Sequence, residues 1–236
     1  MWLPISKRMN IFAAMIHTTK KITSVLMYTA VVFLAACNKD SLRGDGAVGS
    51  EERTVPAFTQ VQLDGDGEVT ISYGTTQKVS VSGYQNLLPV YETRIVAGVL
   101  HLGFKSGYSI RNNNMRVVIE VPQLTYMRIN GSGKITANNF IQGGGMLAYI
   151  NGSGDLLLDD CKFNEALYSV NGSGNIFANT SEVNDADVEI HGSGRILLRV
   201  AGELDINIAG SGTVDYWGNP PVVNSQVSGS GRITKK

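Results

Sequence analysis

Residues 126–136 read YMRINGSGKIT, and the same pattern returns as LAYINGSGDLL at 147–157 and LYSVNGSGNIF at 167–177. It returns three times more, as DVEIHGSGRIL at 187–197, DINIAGSGTVD at 205–215 and NSQVSGSGRIT at 224–234. The turn glycines are Gly131 and Gly133, Gly152 and Gly154, Gly172 and Gly174, Gly192 and Gly194, Gly210 and Gly212, and Gly229 and Gly231. Intervals between first glycines are 21, 20, 20, 18 and 19 residues. Self-similarity at a fixed period of this length is the mark of a solenoid.

With each first glycine as position zero, position −2 is Ile129, Ile150, Val170, Ile190, Ile208 and Val227. Position +4 is Ile135, Leu156, Ile176, Ile196, Val214 and Ile233. Position −6 of the last five copies is Met146, Ala166, Ala186, Leu204 and Val223. Even positions are therefore apolar on both sides of the turn, and the mixed odd positions, such as Tyr149, Glu189 and Asn207, face outward. This pattern predicts an all-β fold: a flattened, two-sheet β-solenoid of ~20-residue coils. Six coils rising about 4.8 Å each give a rod of about 29 Å. The alternative is a β-sandwich of hairpins of the same length.

Upstream, residues 53–122 alternate in short runs, as in Phe58–Leu63, Glu68–Tyr73, Lys78–Val81 and Met115–Val121. Thr93–Val96 and Val99–Leu102 flank Ala97-Gly98 and predict a hairpin. No long amphipathic helix is evident, so an N-terminal β region over 53–122 is expected before a repeat region over 123–236. Residues 37–52, polar and without periodicity, predict a flexible tether.

The first 36 residues carry Lys7, Arg8, Lys20 and Lys21, no acid, and an apolar run over 22–36 that is too short for a membrane span. Leu34-Ala35-Ala36-Cys37 resembles a bacterial lipoprotein box, with cleavage before Cys37 and lipid attachment to it. Translation starting at Met9 or Met15 would shorten the basic region; a plain signal peptide or short anchor helix is the alternative. The expected address is the cell envelope, anchored in the outer membrane on its surface or periplasmic side.

The 20 basic and 20 acidic side chains of the 236-residue chain balance, and beyond residue 36 the balance becomes 16 to 20, which argues against a nucleic-acid partner. Glycine is abundant, with 27 residues, none before Gly44. Only Cys161 would remain beside an acylated Cys37, so no intramolecular disulfide is expected.

The Gly-Ser-Gly ladder, the strands before it and the lipoprotein signal together resemble the putative auto-transporter adhesin family with a head GIN domain, over roughly 53–236. The resemblance implies a β-superhelix related in shape to pectin lyases, Gly-Ser-Gly motifs at its tight turns, no established catalytic residues, and a role in cell adhesion.

Several candidate sites have plainer explanations. Asn-Gly-Ser at 130, 151 and 171 and Asn179-Thr180-Ser181 match the glycosylation pattern but serve better as turn chemistry. A calcium-binding β-roll needs an Asp at fixed offset, and only Asp155 follows a Gly-Ser-Gly directly. Asp187 and Asp205 share position −5 on successive coils, near enough to hold a cation or shift a pKa. No matched base accompanies them, and a solvated acidic face is expected. His101 and His191 lack the companions of a zinc site, so neither metal nor cofactor is expected. Cys161, beside Asp159 and Asp160, is expected to be inert.

Position +5 presents Leu157, Phe177 and Leu197 outward on three successive coils, a candidate interaction stripe; Leu147 and Leu167 at −5 add a second on the other sheet. Residues 53–122 folding back over one stripe is the plain explanation. The interaction reading expects a second copy, paired laterally because Arg232, Lys235 and Lys236 discourage end-to-end growth. The function expected is a non-catalytic adhesion scaffold, with a glycan or a matrix or surface protein as partner and the membrane as anchor point. A polysaccharide-cleaving solenoid and an envelope-maintenance protein are the alternatives.

Overall fold

The computed structural model describes residues 40–141 and 143–236, so the expected signal peptide and Cys37 lie outside the described residues. Residues 41–236 form one compact unit. The described chain opens with β1 (Asp40–Arg43) and β2 (Val48–Glu52). β3 (Gln60–Gly65), β4 (Glu68–Tyr73), β5 (Lys78–Tyr84), β6 (Tyr91–Val96), β7 (Val99–Phe104), β8 (Tyr108–Arg111) and β9 (Arg116–Val121) follow. The repeats then supply β10 (Tyr126–Gly131), β11 (Lys134–Asn138), β12 (Gly145–Gly152), β13 (Asp155–Asp159), β14 (Lys162–Gly172) and β15 (Asn175–Gly192). β16 (Arg195–Val200), β17 (Glu203–Gly210), β18 (Thr213–Trp217), β19 (Val222–Gly229) and β20 (Arg232–Lys235) complete them. Among the described residues the sole helical element is a 3₁₀ turn at Leu88–Val90, and no helix is long and apolar enough to cross a membrane.

The parallel ladders confirm a β-solenoid. Strands preceding each Gly-Ser-Gly stack as β3–β10–β12–β14, then the end of β15, then β17–β19; this is the first sheet. Strands following it stack as β4–β11–β13, then the start of β15, then β16–β18–β20; this is the second sheet. A narrow third ladder closes the middle coils, where Lys162 and Phe163 pair with Glu182 and Val183, and Val183 with Val200.

Inward side chains repeat the even-position pattern. Leu63, Ile129, Val170, Ile190 and Ile208 line one wall at 0% exposure, opposite Ile135, Leu156, Ile176, Ile196 and Val214, also at 0%. The turn glycines knit the coils together. Gly152, at φ 132°, takes a conformation other residues rarely adopt, and its carbonyl accepts the N–H of Ser173 from the next coil at 2.9 Å.

Three expectations need correction. The boundary at 122/123 falls inside one continuous stack, because β10 pairs with β3 in the register Asn130↔Asp64 and Gly131↔Gly65. Asp64-Gly65-Asp66-Gly67 is thus a further copy of the turn, and Gly65 accepts the Ser132 N–H at 3.1 Å. β7 and β9 add a coil on the far side of β3 and β4, which β5 and β6 close by antiparallel pairing. The Ala97-Gly98 hairpin forms as expected, with Val96 opposite Val99.

Second, residues 53–122 lie at the end of the stack, in line with the sheets, rather than folded back over an outer stripe. Third, the expected tether is structured from Asp40: β1 pairs with β8, and Ser50 of β2 lies opposite Ser82 of β5. Asn112 Nδ2 donates to the Gly44 carbonyl at 2.7 Å and Asn86 Nδ2 to the Arg43 carbonyl at 2.7 Å. Backbone pairing and amide side chains hold this segment, neither of which needs an apolar alternation.

Candidate functional site

Because side chains alternate along each strand and strands stack in register, each outward position becomes a column parallel to the solenoid axis. On the first sheet, position −5 reads Gln60, Tyr126, Leu147, Leu167, Asp187, Asp205 and Asn224. The column beside it, at −3, reads Gln62, Arg128, Tyr149, Ser169, Glu189, Asn207 and Gln226. Asp187 and Asp205 are therefore direct neighbours, as the repeat register implies, and Leu147 and Leu167 continue their column.

An open groove of about 770 Å³ runs along this corner, lined by Tyr126, Leu147, Leu167, Asp187 and Asp205, and walled by Glu165, Asp185 and Glu203. A shallower continuation of about 600 Å³ passes Glu189, Asn207, Asn224 and Gln226. One end is aromatic. The rings of Tyr126 and Tyr149 lie 5.6 Å apart at 44°, and the Arg128 guanidinium sits 5.4 Å over Tyr149. Loss of solvent raises the Tyr126 pKa, an effect Arg128 opposes and Tyr149 and Asp64 reinforce. The other end is acidic.

Some of those carboxylates are already engaged in structure. Asp185 accepts the Glu203 backbone N–H at 2.7 Å and Asn184 Nδ2 at 2.9 Å, and Glu189 accepts from Ser169 Oγ at 3.4 Å. Among the described residues no Lys, Arg or His lines either stretch directly, and Arg128 stands just outside it against Tyr149. Nor do the described residues gather three or more His, Cys, Asp or Glu in a metal-binding arrangement. The surface can stack a ring or an apolar group at one end and pair with a cation or hydroxyls at the other.

The remaining candidates lie elsewhere. His101 Nδ1 is 3.4 Å from Asp64 Oδ2, and Asp64 starts an amide ladder in which Asn130 Nδ2 donates to it at 2.9 Å and Asn151 Nδ2 to Asn130 at 3.0 Å. His191 continues that turn column after Asn171. Cys161 is buried; its thiol donates to the Asp159 carbonyl at 3.3 Å, and desolvation is the main force raising its pKa. Leu157, Phe177 and Leu197 align on the outer face of the second sheet, half-buried.

Sequence reasoning missed the Tyr126–Tyr149 pair and the groove wall. The wall had a signal, since Glu165, Asp185 and Glu203 all stand at position −7. Tyr126 had a weaker one, because it shares position −5 with Leu147.

The chain belongs to the family described as putative auto-transporter adhesin, head GIN domain, whose sequence profile matches residues 57–220. Among curated proteins, none matches the chain in sequence. Solved structures share the fold. A putative adhesin from Bacteroides fragilis aligns with TM-score 0.68 at 19% identity, over 83% of this chain and 100% of its own. A putative lipid binding protein from Parabacteroides distasonis aligns with TM-score 0.52 at 22% identity, over 84% of this chain and 100% of its own. A putative adhesin from the same species aligns with TM-score 0.54 at 20% identity, over 84% and 100%.

Proposed function

We propose that this member of the head GIN domain family is a lipid-anchored envelope protein that binds partners along the groove of its first sheet, without catalysis. The observation carrying the reading is the groove itself: an open track that runs from Tyr126, beside the Tyr149–Arg128 stack, to the carboxylates of Asp187 and Asp205. Binding sites for small substrates are usually enclosed and few, whereas an open track suits a polymer or another protein surface. A glycan or a matrix or surface protein fits it, with rings or apolar groups over Tyr126, Tyr149 and Leu147.

The lipoprotein box supports the anchor. The first described strand starts at Asp40, three residues after Cys37, so an acylated Cys37 would hold the body within about 10 Å of the lipid. Such a protein works as a short surface fitting rather than on a long stalk.

The test is binding of a soluble chain, residues 38–236, to arrayed glycans and matrix proteins. The expected result is binding to at least one class, weakened at least tenfold by Tyr149→Ala with Asp205→Asn. Binding untouched by that variant would contradict the reading. Depolymerisation of a polysaccharide that Asp187→Asn or Asp205→Asn abolishes would establish the enzymatic alternative instead.

A further inference from the structure

The outer face of the second sheet carries a charge pattern that its register makes self-complementary. Three successive coils place Asp155, Asn175 and Arg195 in one column and Leu157, Phe177 and Leu197 in the next. Two residues further along the first and third of these strands stand Asp159 and Arg199, both exposed, with Asn179 between them in sequence position. The face thus has an apolar centre, two acids on one side along the axis and two arginines on the other. Among the described residues, no ion pair within the chain engages Asp155, Asp159, Arg195 or Arg199.

We infer that this face packs against the same face of a second copy, about a two-fold axis running parallel to the strands through Phe177. That operation reverses the order of coils and keeps the position along each strand. It sets Asp155 against Arg195 of the second copy and Asp159 against Arg199, each twice. Leu157 meets Leu197, Phe177 meets Phe177, and Asn175 meets Asn175. An isologous interface of this kind closes as a dimer.

The other in-plane axis, along the solenoid, would oppose Asp155 to Asp159 and Arg195 to Arg199. Like charges face to face disfavour that arrangement, so the charge pattern selects one geometry. The groove shares no lining residue with this face and would stay open in each copy, giving a bivalent particle.

With the flanking strands β11 and β18, which would bring Lys134 opposite Thr213 and Asp215 opposite Thr136, five coils of about 24 Å by strands of about 16 Å give a contact near 400 Å² per copy. That is about half of a standard interface, so the dimer forms in a concentration-dependent way.

Sedimentation equilibrium of residues 37–236 carrying Cys37→Ala, from low to high micromolar concentration, tests the inference. The mass should approach twice that of the monomer. Asp155→Arg should weaken association at least tenfold, and Asp155→Arg with Arg195→Asp should restore it to within threefold of the parent. Should Asp155→Arg fail to fold, Arg195→Asp alone supplies the same weakened arm. A monomer at every concentration, a mass rising beyond two copies, or a charge swap that does not rescue would each overturn it.

Discussion

At the scale of single residues, the glycines of this chain are not equivalent. At Gly172, φ is 130° and an added Cβ would meet the carbonyl oxygen of Gly152 in the coil below. Strain at such a backbone position and overpacking against main chain each cost about 1–3 kcal/mol, so Gly172→Ala should lose about 3 kcal/mol or more of stability. Gly145 has nothing within 4 Å of the same atom, and Gly145→Ala should change stability by less than about 0.5 kcal/mol. Denaturant midpoints of the two variants measure the contrast. The six Gly-Ser-Gly motifs could be read from sequence because only glycine tolerates that approach. Asp64-Gly65-Asp66-Gly67 could not: serine is replaced by Asp, and the copy stands 66 residues before the next one.

Two buried tyrosines contribute to a loss of stability at alkaline pH. Burial raises the pKa of Tyr168 above its ordinary value of 10.0, and it does the same for Tyr91, where Asp66 and Asp64 add to the effect. Below pH 10 folded and unfolded chains both keep these protons, and the two groups add no pH dependence. Above pH 10 the unfolded chain releases protons that the folded chain retains, so stability falls as pH rises. Ultraviolet titration should show these two phenols ionising only together with unfolding. Ionisation of all tyrosines in one early step, with the fold intact, would contradict their burial.

At the scale of elements, the coil is the unit of construction. Each coil contacts its neighbours through in-register ladders, so energy is distributed nearly in one dimension. Removing residues 172–191 joins Asn171 to Gly192 and preserves register. The shortened chain should still unfold cooperatively, with a lower midpoint and a smaller denaturant slope. Removing 182–191 alone breaks the match between strands and turns, and should abolish cooperative unfolding. Circular dichroism during urea titration distinguishes the outcomes.

The repeat period made these coils legible, because alternation and turn spacing agree in every copy. The N-terminal end was less so. β1 and β2 are short and polar, and their order comes from backbone pairing with β8 and β5, which leaves no trace in hydrophobic pattern. The order of stacking was hidden too, since β7 and β9 follow β3 and β4 in sequence yet lie on their far side from β10. The candidate site was half legible. Columns such as Leu147–Leu167–Asp187–Asp205 follow from register alone, whereas the groove between columns −5 and −7 depends on how the corner bends.

At the scale of the whole molecule, the structure is a stack closed at one end by antiparallel strands, with β19 and β20 at the other. Lys235 takes the inward position on β20 that Ala137, Leu158 and Leu198 take in earlier coils, and it donates to Asn219 Oδ1 at 2.6 Å. A charge placed there guards the edge against strand addition. β19 nevertheless leaves Val222, Val223 and Val227 exposed at that end, beside the groove on the first sheet and the stripe on the second.

On the proposed function, the groove, held at the envelope by Cys37, makes cells adhere. Adherence of cells expressing the chain to immobilised glycan or matrix protein tests it most directly, with parent, Cys37→Ala and Tyr149→Ala/Asp205→Asn compared at equal expression. Cys37→Ala should leave the membrane fraction, and both variants should lose at least nine-tenths of the parent's adherence while the soluble chains keep their thermal midpoints. Adherence at the parent's level in either variant would contradict it.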